Sequence, residues 1–172
     1  MKVLVIDDEP SVRELIRNAL ANLNYEIQDT ADGETALELA AVKNFDLIFC
    51  DVMMQGMNGF EVVKALRGNL KSDAEIILIT GAASATAAVD ALEYGANDYL
   101  CKPISVDALE RIACAVYERR YPDNIVEITL SQAPRHEILG SSPAMIASAI
   151  TPHPMNAKRQ LLSGFVSAIK RG

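Results

Sequence analysis

Apolar positions along this chain alternate between two rhythms. Residues 2–6 (Lys-Val-Leu-Val-Ile) form a short apolar run that stops at Asp7, Asp8, Glu9 and Pro10, the pattern of a buried strand followed by a turn. Beyond it Val12, Leu15, Ile16, Ala19, Leu20 and Leu23 recur at helical spacing, with Pro10 and Ser11 suited to the first turn. The unit then repeats, predicting strands near 25–29, 46–50, 75–79 and 97–101 and helices over 33–43, 59–67, 84–94 and 105–119. Runs such as Ile76-Ile77-Leu78-Ile79 are apolar at every position, which marks burial on both faces. Alternating βα units with right-handed crossovers give a five-stranded parallel sheet covered by helices, so the predicted fold class is a doubly wound α/β sandwich.

After Arg120 the pattern changes. Pro122, Pro134, Pro143, Pro152 and Pro154 punctuate a stretch with no sustained repeat, expected to be a linker. Two short helix candidates follow, one opening at Ser142-Pro143 and one over 156–170 with Leu161, Leu162, Phe165 and Ile169. The predicted organisation is a main domain over 1–120 and a linker with a weakly helical tail over 121–172, which suits a total of 172 residues. No apolar run exceeds strand length and no charged leader precedes a membrane-length segment, so a cytoplasmic protein without membrane contact is expected. A formal charge of −7 gives no general attraction to nucleic-acid phosphates, although Lys158, Arg159, Lys170 and Arg171 make the tail locally basic. Cys50, Cys101 and Cys114 are too far apart for a compact zinc motif and odd in number, and are expected to be reduced thiols. Strand alternation turns Cys50 and Cys101 toward packing, away from the residues that follow them.

In an open parallel sheet, ligands bind beyond the carboxyl ends of the strands. Here those ends carry Asp7 and Asp8 after the first strand, Asp51 after the third, Thr80 after the fourth and Lys102 after the fifth. If the strand order is 2-1-3-4-5, the first and third strands are neighbours at the topological switch point and Asp7, Asp8 and Asp51 share one pocket. Crowded carboxylates repel unless a cation compensates, and hard oxygen ligands in this number suit Mg²⁺. Mg²⁺ beside carboxylates indicates phosphate chemistry. An aspartate can attack a phosphoryl donor, Lys102 offers a second positive charge, and the Thr80 hydroxyl can hydrogen-bond a phosphoryl oxygen. Any one of these could be an ordinary solvated turn residue; the set at four of five strand ends carries the inference.

The segments Asp7-Asp8-Glu9-Pro10, Asp51-Val52-Met53-Met54, Ile79-Thr80-Gly81 and Lys102-Pro103 together resemble the receiver domain of bacterial two-component response regulators, over about residues 1–120. The resemblance implies a flavodoxin-like fold, phosphoryl transfer from a sensor histidine kinase or phosphotransfer protein to Asp51, and a metal held by Asp7, Asp8, Asp51 and the backbone carbonyl of Met53. It makes Thr80 and Lys102 the phosphate-contacting pair and Tyr99 the aromatic that turns inward on activation. On spacing alone Tyr99 reads equally as a packed strand aromatic. Gln55 departs from the family, which usually has proline there, so a looser loop around Gly56 and Gly59 is expected.

Within receivers, the segments 80–84 and 95–100 look most like the nitrogen-regulation class of enhancer-binding activators, and 138–145 is similar to the start of the ATPase module that follows in those proteins. No Gly-x-x-x-x-Gly-Lys-Ser/Thr occurs, so the chain resembles such an activator truncated before its ATPase module. The family's readout face, here helix 84–94, strand 97–101 and helix 105–119, predicts a homodimer strengthened by phosphorylation. The stripe Ala88, Val89 and Leu92 is expected to be core. The leading expectation is a switch that phosphorylates itself and hydrolyses slowly, and is not an enzyme acting on an external substrate. The alternatives are a decayed receiver that binds partners constitutively and an aspartate-nucleophile phosphatase. The latter would place its second acid two residues from the nucleophile after the first strand, whereas Asp7 and Asp8 are adjacent. His136 and His153 lie in the tail and cannot form a triad or metal cluster with the crevice without folding back.

Overall fold

The computed structural model describes residues 1–81 and 92–123. Met1–Tyr121 is one compact unit; both predicted tail helices and both histidines lie outside the described residues.

Strands β1 (Lys2–Ile6), β2 (Glu26–Thr30), β3 (Leu47–Asp51), β4 (Glu75–Thr80) and β5 (Asp98–Cys101) form one parallel sheet in the order β2-β1-β3-β4-β5. The described helices are α1 (Pro10–Leu20), α2 (Gly33–Val42), α3 (Gly59–Gly68) and α4 (Val106–Arg120). Of the helix predicted over 84–94 only its last residues are described. Leu92, expected in the core, is 60% exposed there. It sits in the helix's closing turn, where its carbonyl accepts a hydrogen bond from Gly95 N at 3.0 Å and Gly95 takes φ +97; Ala88 and Val89 of the same expected stripe lie outside the described residues.

Strand alternation divides the core in two. Leu4, Ile6, Ile48, Cys50, Ile76 and Leu78 face α2 and α3, where Ala36, Val62, Val63 and Leu66 meet them. Val3, Val5, Leu47, Phe49, Ile77 and Ile79 face α1 and α4 and pack on Ile16, Leu20, Leu109, Ala113 and Val116. β3 is buried at all five positions, which is why it reads as apolar throughout. The helix starts follow local chemistry. Pro10 occupies the first turn of α1, Asp32 and Ser105 cap α2 and α4, and Asn58 with Glu61 closes a capping box on α3. Among the described residues no helix is long and apolar enough to cross a membrane.

Candidate functional site

Register brings the strand ends together. Ile6 pairs with Cys50, so Asp7, one residue on, stands beside Asp51, the last residue of β3. Asp51 pairs with Ile79, placing Thr80 next to it, and Thr80 pairs with Cys101, placing Lys102 one residue beyond. Carboxylate oxygens of Asp7, Asp8 and Asp51 lie within 4.8 Å of one another. Asp7 and Asp51 are buried at 0% and 2% exposure and Thr80 is buried at 5%, whereas Asp8 is half-buried.

Lys102 is the cation of the cluster. Its Nζ lies 3.3 Å from Asp7 Oδ2 and 3.4 Å from Asp51 Oδ1, and it donates a 2.9 Å hydrogen bond to Glu9 Oε1. The contact with Asp7 has ion-pair distance without hydrogen-bond geometry, and Asp7 Oδ2 is buried with no hydrogen-bond partner. The other oxygen of Asp7 accepts the Glu9 N–H at 2.8 Å. Burial raises the Asp7 carboxyl above the usual range despite that hydrogen bond and the nearby ammonium. Asp51 is raised too, first by burial and then by the charge of Asp7, against the pull of Lys102 and a hydrogen bond from the Met53 N–H. Burial alone would lower the pKa of Lys102, but the Glu9 hydrogen bond and the charges of Asp7 and Asp51 outweigh it and raise the pKa.

The donor set fits a small hard cation. Three carboxylates with oxygens within 4.8 Å of one another are the hard ligands that Mg²⁺ takes. A buried carboxylate oxygen without a hydrogen-bond donor is the kind of group such an ion satisfies. Asp7, Asp8 and Asp51 could therefore hold it.

The loop after β3 is anchored at both ends. Val52 donates to Ile79 O at 2.8 Å, Gly59 donates to Val52 O at 3.1 Å, and Met54 is buried. Gly59 has no alternative, because a Cβ there would overlap Asp51 O and come within 2.9 Å of Val52 Cα. The Met53 side chain is 76% exposed while its backbone stays beside Asp51. Tyr99 is not part of the charged cluster. It pairs with Leu78 two residues before the Thr80–Cys101 pair, so it shares their sheet face, and it packs half-buried against the core on the α3 side. Cys50 is buried as expected, its thiol pushed up by burial, whereas Cys101 and Cys114 are half-buried.

Two residues here had no role assigned from sequence. Arg13 donates to Asp7 O at 2.7 Å and pairs with Asp29 of β2 at 3.2 Å, fixing the turn that carries the acid pair. Glu9 holds Lys102 across 93 positions of sequence. The spacing of Glu9 and Arg13, one helical turn apart beside an acid pair, was the available signal.

Comparison with known proteins agrees with this geometry. Residues 3–113 match the response regulator receiver domain family. The response regulator MprA of Mycobacterium leprae is 35% identical over 127 residues, 74% of this chain and 55% of that protein. A probable transcriptional regulator, ycf27 of Cyanophora paradoxa, is 38% identical over 109 residues, 63% of this chain and 45% of that protein. The chain thus spans about half the length of the curated relatives it matches. Among solved structures, the chemotaxis response regulator CheY4 of Vibrio cholerae superposes with a TM-score of 0.63 at 34% identity, over 67% of this chain and 97% of that one. The Francisella response regulator 1452 receiver domain gives 0.65 at 30% identity, over 69% and 98%. By its sheet order, its strand-end cluster and these matches, the chain belongs to the response regulator receiver domain family of two-component systems.

Proposed function

We propose that Asp51 accepts a phosphoryl group from a sensor histidine kinase or phosphotransfer protein, and that residues 1–120 form the switch this modification sets. The observation that carries the proposal is the convergence of three carboxylates and one ammonium around Asp51 at the carboxyl edge of the sheet. An Asp51 carboxylate oxygen attacks phosphorus, the bond to the donor's nitrogen breaks, and the donor imidazole leaves with the electron pair. Lys102, already within 3.4 Å of Asp51, neutralises charge on the transferred group, and the Thr80 hydroxyl donates to one of its oxygens. Mg²⁺ bound by Asp7, Asp8, Asp51 and the Met53 carbonyl would supply charge neutralisation and alignment of donor and acceptor. Tyr99, on the Thr80 face, turns inward when Thr80 is drawn to the phosphoryl group. No external substrate is turned over, so the protein is a switch and not an enzyme.

Exposure of Leu92, Tyr94 and Val106 at 60%, 44% and 42% supports an interaction face that includes β5 and the start of α4. Dimerisation through that face on phosphorylation is the expected output; light scattering with and without beryllofluoride tests it, and an unchanged monomer refutes it. The relative described as a probable transcriptional regulator supports a role in transcriptional regulation, and descent from an activator is the narrower reading. The narrower nitrogen-regulation assignment rests on the motifs at 80–84, 95–100 and 138–145 alone. Action in the cytoplasm is part of the same reading, and the net charge of −7 supports protein partners over nucleic acid for this chain.

Phos-tag electrophoresis after acetyl phosphate treatment, with and without Mg²⁺ and alongside Asp51→Asn, tests the central claim. A Mg²⁺-dependent shifted band absent from the variant is expected. An unshifted wild type would instead favour a constitutive binding module.

A further inference from the structure

We propose that Glu9 is a positioning residue that takes up the Lys102 ammonium when a divalent cation enters the acid cluster. The proposal rests on the metal-assisted reading of the site given above. Without metal, one ammonium serves three carboxylates: Glu9 at 2.9 Å by hydrogen bond, Asp7 at 3.3 Å and Asp51 at 3.4 Å by proximity. Two of these three are the groups a cation would occupy. A doubly charged ion on Asp7 and Asp51 repels an ammonium at this distance and removes its reason to stay. Lys102 must then move, and its stem is held at the end of β5, so its head can only swing locally. Glu9 is the partner outside the metal cluster. Its side chain is 58% exposed, free of the crowding around Asp7 and Asp51, and already bonded to Nζ.

Backbone geometry couples the two functions. Glu9 N–H holds one oxygen of Asp7, leaving the unpartnered Oδ2 toward the cluster, while the Glu9 carboxylate holds Lys102. One residue therefore orients a metal-ligating carboxylate through its main chain and draws the competing cation aside through its side chain. Substituting the side chain alters only the second role.

A double-mutant cycle on Mg²⁺ binding separates this from simple loss of negative charge. Wild type, Glu9→Gln, Lys102→Met and the double variant of the full chain are titrated with Mg²⁺ alone, followed by amide chemical shifts at fixed ionic strength. The direct attraction of Glu9 for the ion is the same in both backgrounds and cancels in the cycle. A half-exposed ion pair gives a modest coupling, so Glu9→Gln should weaken Mg²⁺ binding about threefold more when Lys102 is present than when it is Met. Glu9→Asp, which keeps the charge, should recover the direct attraction in both backgrounds and a larger share of the affinity in the Lys102 background, where it also holds the ammonium. Equal losses in both backgrounds would overturn the proposal while leaving the metal site intact. Absence of Mg²⁺ binding by the wild type would overturn the metal reading and this inference with it, and absence of phosphorylation despite Mg²⁺ binding would overturn only the phospho-acceptor reading.

Discussion

Replacing Asp51 with Asn is expected to stabilise the metal-free fold. Asp51 is 2% exposed, and oxygens of Asp7, Asp8 and Asp51 fall within 4.8 Å of one another. At an effective dielectric of about 20, each of the two like-charge pairs that Asp51 makes at that separation is worth about 3.5 kcal/mol of repulsion. Lys102 Nζ, 3.4 Å away, returns about 5 kcal/mol of attraction on the same basis. The balance is about 2 kcal/mol against the ionised carboxylate, to which lost hydration adds, while solvent around Asp8 and Lys102 screens part of it. A gain of about 1–2 kcal/mol follows, equivalent to a rise in Tm of about 4 °C or more for a domain of this size. Far-UV circular dichroism melts at neutral pH in EDTA measure it. Saturating Mg²⁺ should act the other way, because it stabilises the wild type by mass action and finds one carboxylate fewer in the variant. The gap between the two melts should then close or invert. A variant that melts below the wild type in EDTA would mean that Lys102 and the Met53 N–H outweigh repulsion and burial, and the account of a strained acid cluster would fail.

Three further outcomes follow from the same coordinates. Asp7 and Asp51 are both raised above their ordinary value of 3.8, so the folded state takes up their protons before the unfolded state does. Their ionisation therefore opposes folding at neutral pH, that opposition is relieved as pH falls through the raised values toward 3.8, and the advantage of Asp51→Asn should shrink over that window in EDTA melts. Gly59→Ala places a Cβ against Asp51 O and Val52 Cα, and should lower stability by about 3 kcal/mol in urea titration and weaken Mg²⁺ binding by displacing the strand end. Arg67→Ala removes donors from Gly95 O, Ser72 O, Ala74 O and Asn97 Oδ1 at 2.6–2.9 Å, and should cost about 2–4 kcal/mol by the same assay while leaving the Mg²⁺ affinity unchanged.

The sheet was legible because its strands are apolar at nearly every position and the helices between them are periodic. Boundaries shifted by one where the ladder runs on into a polar residue, as at Asp51 and Thr80, which close β3 and β4 rather than follow them. Leu23 continued the helical period of α1, yet Asn24 in the left-handed region at φ 54 ends the helical path after one 3-10 turn. The acid cluster was legible because strand order alone brings the ends of β1 and β3 together. The partner of Lys102 was not, since sequence spacing says nothing about which of several carboxylates an ammonium reaches across 93 positions. Arg67 was silent for the same reason: its acceptors are mostly backbone carbonyls, which every residue has.

The placement of Asp51 explains how a strained site can persist. β3 is the central strand and is buried at every position; its Phe49 and Cys50 belong to the two opposite core faces, and Asp51 continues that strand into the cluster. Strain in the cluster cannot relax by shifting β3 without disturbing packing on both sides of the sheet, because close-packed interiors transmit displacement rather than absorb it. The sheet therefore holds like charges together that would separate on a loop. Relief must come from the mobile charges, namely Lys102, an entering cation, or a proton on one of the carboxylates. Each of those events changes the balance on Asp51 by an amount at least as large as the roughly 2 kcal/mol of strain, and each acts at the edge of a strand anchored in both cores. A site built on a loop would dissipate such a change locally; built on β3, it acts on a strand against which both core faces pack.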